Sequence, residues 1–446
     1  MAESGDKSNR SNRFHLRCLM GAIVVAFFCG SVPTAAESRG LNGSYGSNRD
    51  ESTTTVRLRN SGDDGRGKGV RFSSQRPFPD APLEVVASLD ARPIGIAMSP
   101  DERLFISLAG YLGDVEQKDG GVIRELLPDG SSRPFPLFSS SDSRSPGDSF
   151  SKVIALAADS REVLWILDSG LLPTSQPKLV GWDLKKEALH RLVYLPAPIT
   201  KPNSSLVSVA IDEKRQIAYI ADQGRSDFVG KSESAIISVD LKTGAAWRAL
   251  EDHYSLNADG GDFIVKGEPL LAPDGKGSLV RPSLGIASVS LDEQGDFVYF
   301  GAANGRSVFR ITTEVLSDSK LSSAQVGERV QRLGDKPPSH GLFVLSPEQV
   351  LVSDVNNNAI GLVSPTGRYE MLATSEELSW PTAFARGSRG EVYVVSSQFH
   401  RAPLFHRGED QSKRPFLITR FYPQPVRQEA MKTRPVADQK KRLSRR

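Results

Sequence analysis

Apolar residues occur along the chain in short alternating runs, and the segment 283–316, SLGIASVSLDEQGDFVYFGAANGRSVFRITTEVL, shows the pattern in full. Ile286–Leu291 is apolar and β-branched, and Asp292-Glu293-Gln294-Gly295-Asp296 is turn chemistry. A second run covers 297–300, Ala303-Asn304-Gly305 supplies a hairpin turn, and 307–312 alternates again. Period-two runs separated by Gly, Asn and Asp predict antiparallel strands. One such meander cannot cover its own faces, so copies are expected elsewhere in the chain.

Five copies are present. The second strands LFISLAG, LWILDSG, AYIADQG, VYFGAAN, VLVSDVN and VYVVSSQ align on one column: Phe105, Trp165, Tyr219, Tyr299, Leu351 and Tyr393. An apolar strand and a polar turn precede each: IAMSPDER, IALAADSRE, VAIDEKRQ, ASVSLDEQGD, LFVLSPEQ and AFARGSRGE. Six meanders of about four strands predict an all-β chain folded as a six-bladed β-propeller around a channel. A β-sandwich would require no shared column. An extra strand at 82–89 (PLEVVASL) precedes the first meander, and 416–422 (FLITRFY) lies in the last. Their pairing would close the ring through the N- and C-terminal strands.

The flanking composition divides the rest. Residues 1–36 have a basic stretch ending at Arg17, an apolar run from Cys18 to Val32 and small residues Thr34-Ala35-Ala36, the layout of a cleaved secretory signal. The run is short for a membrane span, so no stable membrane insertion is expected after cleavage, although an uncleaved anchor stays open. Residues 37–79 read as a disordered spacer, 80–425 as the propeller and 426–446 as a basic disordered tail. Net charge is +3, of which the leader holds +2 (Lys7, Arg10, Arg13 and Arg17 against Glu3 and Asp6), leaving +1 and no global field for nucleic acid. Both cysteines, Cys18 and Cys29, lie in the leader, so the mature chain has no thiol chemistry. A secreted or periplasmic monomer is expected.

Two sets of residues are candidates for a site. At the starts of the inner strands stand Arg92, Lys152, Ser205, Ser283, His340 and Trp380, expected to converge on the channel and suited to a polar or aromatic small molecule. After the second strands stand Asp168, Asp222, Asn304, Asp354 and Asn356-Asn357-Asn358, which read either as ligand contacts or as turn-forming side chains. Asp168 reads as a cap on the turn before Gly170. No cofactor is expected. Calcium is permitted by Asp222, Asn304 and Asp354 without being specified. His190, His253, His340, His400 and His406 show no metal-ligand spacing. The sequence has no G-x-S-x-G elbow, H-E-x-x-H, P-loop or EF-hand. Polar insertions at 111–120, 139–149 and 251–282 are where a pocket wall would sit.

LWILDSG, then AYIADQG followed by AIISVDLKTGAAWRALEDHYSLNADGGDFIVKGEP, then GIASVSL, VYFGAANGRSVFRITTEVL and NNNAIGLVSP resemble the successive blocks of the yellow / major royal jelly protein family. The resemblance runs from about 83 to 422 and is most specific at Trp247-Arg248, Gly261-Asp262-Phe263 and 312–316. It implies a secreted six-bladed propeller that binds a small molecule such as an amine, a catechol or another aromatic or polar ligand at the channel. Some members bind biogenic amines or sterols, and some are linked to dopachrome conversion. Animal members carry disulfide cysteines that are absent here, and the family's Cys-Trp is replaced by Gly361-Leu362. That points to a bacterial-type, cysteine-free branch, and no catalytic residue transfers by motif.

The alternative is a metal-dependent hydrolase similar to gluconolactonase, or a dopachrome-converting isomerase; a protein-interaction propeller also stays open. The lactonase group has a Glu before the first inner strand, where Arg92-Pro93 stands here, and Glu84 is too far upstream to replace it.

Overall fold

The first and second strands of every meander are joined by a turn that places a left-handed residue just before the second strand. These residues are Glu102, Glu162, Gln216, Gly295, Glu348 and Gly390, with φ between 59° (Gln216) and 84° (Gly390). Only two of the six are glycine, so in four blades a side chain adopts a disfavoured backbone conformation to fix the hairpin. The computed structural model describes residues 82–109, 122–136, 150–170, 175–224 and 232–423. All belong to the compact unit 70–446, one of two in the chain. The expected leader, spacer and tail, and the insertions at 111–120 and 139–149, lie outside the described residues.

Six four-stranded antiparallel sheets form the blades. Their first strands, Pro93–Met98, Val153–Ala158, Leu206–Asp212, Ile286–Leu291, Leu342–Ser346 and Pro381–Arg386, each touch the first strand of the blades on either side, and the sixth touches the first. The chain is therefore a closed six-bladed propeller. Glu84–Leu89 forms the outermost strand of the last sheet, antiparallel to Phe416–Phe421, with Glu84 opposite Arg420 and Leu89 opposite Phe416. The Arg420 guanidinium donates to both Glu84 oxygens at 2.8 Å, which fixes the register of closure.

The shared column is the packing element. Phe105, Trp165, Tyr219, Tyr299, Leu351 and Tyr393 are all buried. Large column residues stand opposite small ones on the first strand: Phe105 faces Ala97, Trp165 faces Ala157, Tyr219 faces Ala210 and Tyr393 faces Ala385. Where the column is only Leu351, the partner is Phe343. This size exchange fills each blade interface without overpacking.

Hydroxyl groups stitch neighbouring blades. Ser107, Ser208, Ser288 and Thr382 donate to the carbonyls of Ile154, Val289, Leu342 and Ile94 on the first strand of the next blade, at 3.2 to 3.4 Å. Buried hydroxyls are thereby satisfied while holding inner strands side by side. Lys336, fully buried, donates to the carbonyls of Ala302, Gly305 and Pro337, and burial pulls its pKa down to about 7.

Two features differ from the strand-only expectation. Residues 312–316, read as part of a family block, open a short helix, Thr313–Ser317, followed by Ser323–Gly327 with a capping box from Ser322 and Gln325. The 251–282 insertion is ordered into a one-turn helix, Tyr254–Leu256, and two small hairpins, Ile264–Val265 with Glu268–Pro269 and Ala272–Pro273 with Leu279–Val280.

Candidate functional site

The six inner strands enclose a cavity of about 370 Å3. Small apolar residues such as Gly95, Ala155, Val207 and Ala287 line part of its length, and larger ones such as Met98, Phe343 and Phe384 line the rest. Polar groups gather at the end where the inner strands begin: Lys152, Ser205, Gln223 and His340, with the ring of Phe399 beside them. Arg386, which donates to the carbonyl of Leu345, stands at the opposite end. Among the described residues that line the cavity there is no carboxylate.

His340 is held in one chemical form. Burial pulls its pKa down to about 4, so the ring is neutral near pH 7. The indole Nε1–H of Trp380 donates to His340 Nδ1 at 3.0 Å, which leaves the proton of the neutral ring on Nε2. The ring of Phe399 meets the imidazole edge-on at 5.2 Å. Lys152 is largely buried, and burial lowers its pKa against the opposing pull of Asp168. Asp168 accepts the backbone N–H groups of Ser151, Lys152 and Gly170 and lies 3.8 Å from the Lys178 ammonium, so it positions the strand that carries Lys152.

The other expected residues are placed differently. Arg92 is turned out of the channel into the 397–415 insertion, where it donates to the carbonyls of Ser397 and Gln398 and to the Ser412 hydroxyl. It also lies 3.4 Å from Asp410 and over the Phe416 ring. A guanidinium that is buried needs many acceptors at once, and only this insertion supplies them. Trp380 reaches the site through His340. Its ring packs on Phe263, Phe399 and His400 at 5.0, 5.6 and 5.5 Å, and its φ of 57° is unusual for so bulky a residue. Ser283 lines a separate surface cavity with Tyr254 and Asp259.

The residues after the second strands act on the backbone. Asp222 accepts from the N–H groups of Ser205 and Gly224, the Ser204 hydroxyl and the Arg248 guanidinium at 2.7 Å. Asn304 accepts from Leu284 N–H and donates to the Gly261 carbonyl. Asp354 accepts from Asn357 and the Tyr369 hydroxyl. Asn356 accepts from Ile264 N–H and donates to the Asp262 carbonyl, which ties the long insertion to blade five. None of Asp222, Asn304, Asp354 or Asn356 lines the channel cavity. Each carboxylate's oxygens are engaged with donors of its own blade, so the three proposed oxygen ligands do not converge on one point through shared partners. Among the described residues no group of three or more His, Cys, Asp or Glu could hold a metal ion.

Two cavity residues were missed by reading the sequence. Gln223 follows Asp222 in AYIADQG and was overshadowed by its neighbour, although its position one past the cap is a signal. Phe399 belongs to a one-turn helix, Phe399–Arg401, in an insertion without strand periodicity, and nothing local marks it.

A sequence profile described as Major royal jelly protein matches residues 151–420. Major royal jelly protein 6 of Apis mellifera is 26% identical over 219 residues, 46% of this chain and 46% of that protein. Major royal jelly protein 3 of the same organism is 39% identical over 79 residues, 15% of this chain and 14% of its own. The chain thus spans less than half the length of the curated relatives it matches. Among solved structures, a gluconolactonase from Xanthomonas campestris is 10% identical, covers 76% of this chain and 89% of its own, and superposes with a TM-score of 0.48. So remote a likeness says nothing of chemistry. Among the described residues no helix is long and apolar enough to cross a membrane.

Proposed function

Because the chain belongs to the major royal jelly protein family, we propose that it is an exported propeller that binds a small aromatic or polar molecule at the polar end of its channel. The leader pattern at 1–36 supports export to the periplasm or the outside. The observation that carries the ligand class is the composition of the cavity wall. It offers the ammonium of Lys152, the Nε2–H of His340 and the hydroxyl of Ser205, with no carboxylate among its described residues. Such a donor set suits a guest with oxygen acceptors, such as a catechol, phenolate or aromatic carboxylate, and gives an amine no counter-charge. Phe399 would pack on the ring of that guest.

Asp222, Asn304 and Asp354 are assigned to the scaffold, so a calcium-dependent hydrolase is not the favoured reading. A melting-temperature screen against catechols, aromatic carboxylates, amines and lactones tests the proposal, since a ligand of the folded state raises the midpoint by mass action. Stabilisation by acceptor-bearing aromatics that is lost in Lys152→Met supports it; stabilisation by amines alone overturns it.

A further inference from the structure

A second cavity, of about 320 Å3, lies between the first small hairpin of the long insertion and the segment 400–411. It shares none of the channel's lining residues. Both walls contribute apolar residues: Val265, Leu270 and Leu271 from the hairpin and Phe405 from the facing segment. Leu271 and Leu279 at its margin are large apolar side chains left 38% and 51% exposed. The charged members are Lys266 and Arg401 against a single carboxylate, Glu268, with the imidazole of His406 in the same wall.

The buried member of the wall is His400. The residue is 8% exposed, and its Nδ1 is buried without a hydrogen-bond partner among the described residues. That nitrogen is sealed from solvent, so the imidazole packs the wall and leaves the polar contacts of the cavity to its neighbours. The ring is stacked on Trp380 at 5.5 Å with 27° between planes, so it cannot simply rotate into solvent. Burial, and then the positive charges of Arg401, His406, Arg92 and Lys266, hold it neutral, with its pKa down to about 3. The lining therefore combines a net positive charge with apolar surface.

We propose that this cavity is a binding site for an amphipathic anion: a carboxylate whose head meets Lys266 and Arg401 and whose apolar body lies on Leu271, Leu279 and Phe405. Its volume is at the lower end of the range for small-molecule pockets, which fits one medium-length chain or one ring and excludes a larger ligand. Both halves of the ligand are required. A short anion lacks contact with the leucines, and a neutral amphiphile gains nothing from the charges of Lys266 and Arg401.

Calorimetry with the full chain tests this using octanoate, with acetate, octanol and octyltrimethylammonium as controls. Octanoate is expected to bind saturably, with each control at least about tenfold weaker. Lys266 and Leu271 are exposed and belong to the insertion, so Lys266→Glu and Leu271→Asp keep the fold, which an unchanged melting curve verifies. Each is expected to weaken octanoate by about fivefold or more, from the loss of one charge contact or one apolar contact. The proposal is overturned if octanoate does not saturate, if octanol binds as tightly, or if both variants bind octanoate like the parent chain.

Discussion

The indole Nε1–H of Trp380 donates to Nδ1 of His340 at 3.0 Å, across 40 residues and from one blade to the next. Trp380 adopts a left-handed backbone conformation to make this contact, and Phe263, Phe399 and His400 pack around its ring. Strain in a bulky residue persists where its surroundings over-determine it, and here the result is a single imidazole tautomer at the channel. Nε2–H becomes a fixed donor in the cavity wall.

Replacing Trp380 by Phe keeps a ring and removes the donor. The tautomer of His340 should then become mixed, and ligand affinity in the channel should fall by about tenfold, with stability lower by about 1–3 kcal/mol from the missing volume. Nitrogen-15 spectra of the imidazole read the tautomer directly. Spectra identical to those of the parent would mean that Trp380 does not set it.

The two neutral imidazoles give a pH dependence with a definite sign. His340 and His400 have folded pKa values of about 4 and about 3, below the value of about 6.5 for an unfolded histidine. As pH falls below about 6.5 the unfolded chain takes up protons first, so stability is full above that value and is lost towards pH 4, by about 1.4 kcal/mol per pH unit for each imidazole. Denaturant titrations between pH 7 and 5 on the parent and on His340→Gln measure the difference. The variant should show a slope smaller by about one proton; equal slopes would mean that His340 is not held neutral by the fold.

Closure rests on the pairing of Glu84–Leu89 with Phe416–Phe421. Deleting 37–79 leaves that pairing whole, whereas deleting 37–90 exposes the full edge of the last blade. The first truncation should melt like the parent; the second should unfold or aggregate on a sizing column. Similar melting of both would show that the outer strand is dispensable.

Asp222 and Arg248 are a buried ion pair at 2.7 Å, with side chains 0% and 8% exposed. Asp222→Ala removes two backbone caps and leaves the guanidinium only the Ile199 carbonyl and Glu251 at 3.7 Å, so the expected loss is about 3 kcal/mol. The midpoint of the parent should not respond to EDTA or added calcium if Asp222 is a scaffold residue. Lactone hydrolysis that vanishes both with chelator and in Asp222→Ala would instead make the protein a metal-dependent hydrolase.

Much of the fold was legible because blades repeat. The column from Phe105 to Tyr393, the turn residues and the closing strand follow from period-two alternation and from the need to cover a sheet edge. The channel wall was partly legible, since Lys152 and Ser205 stand immediately before an inner strand and His340 two residues before one. Arg92 likewise stands immediately before an inner strand, yet it is captured by carbonyls of an insertion some three hundred residues away, a contact no local pattern encodes. Asp222, Asn304 and Asp354 have the chemistry of metal ligands and of turn caps alike, and only the backbone N–H groups around them decide between the two.

The proposed function requires the channel mouth to hold a guest by its oxygen acceptors, through Lys152 and His340. Calorimetric titration of the parent chain and of Lys152→Met with protocatechuate and with dopamine tests it most directly. Protocatechuate should bind one-to-one, dopamine at least about tenfold more weakly, and Lys152→Met should weaken protocatechuate by about tenfold. Tighter binding of dopamine, or protocatechuate binding undiminished in Lys152→Met, would mean that the channel does not select its guest by oxygen acceptors.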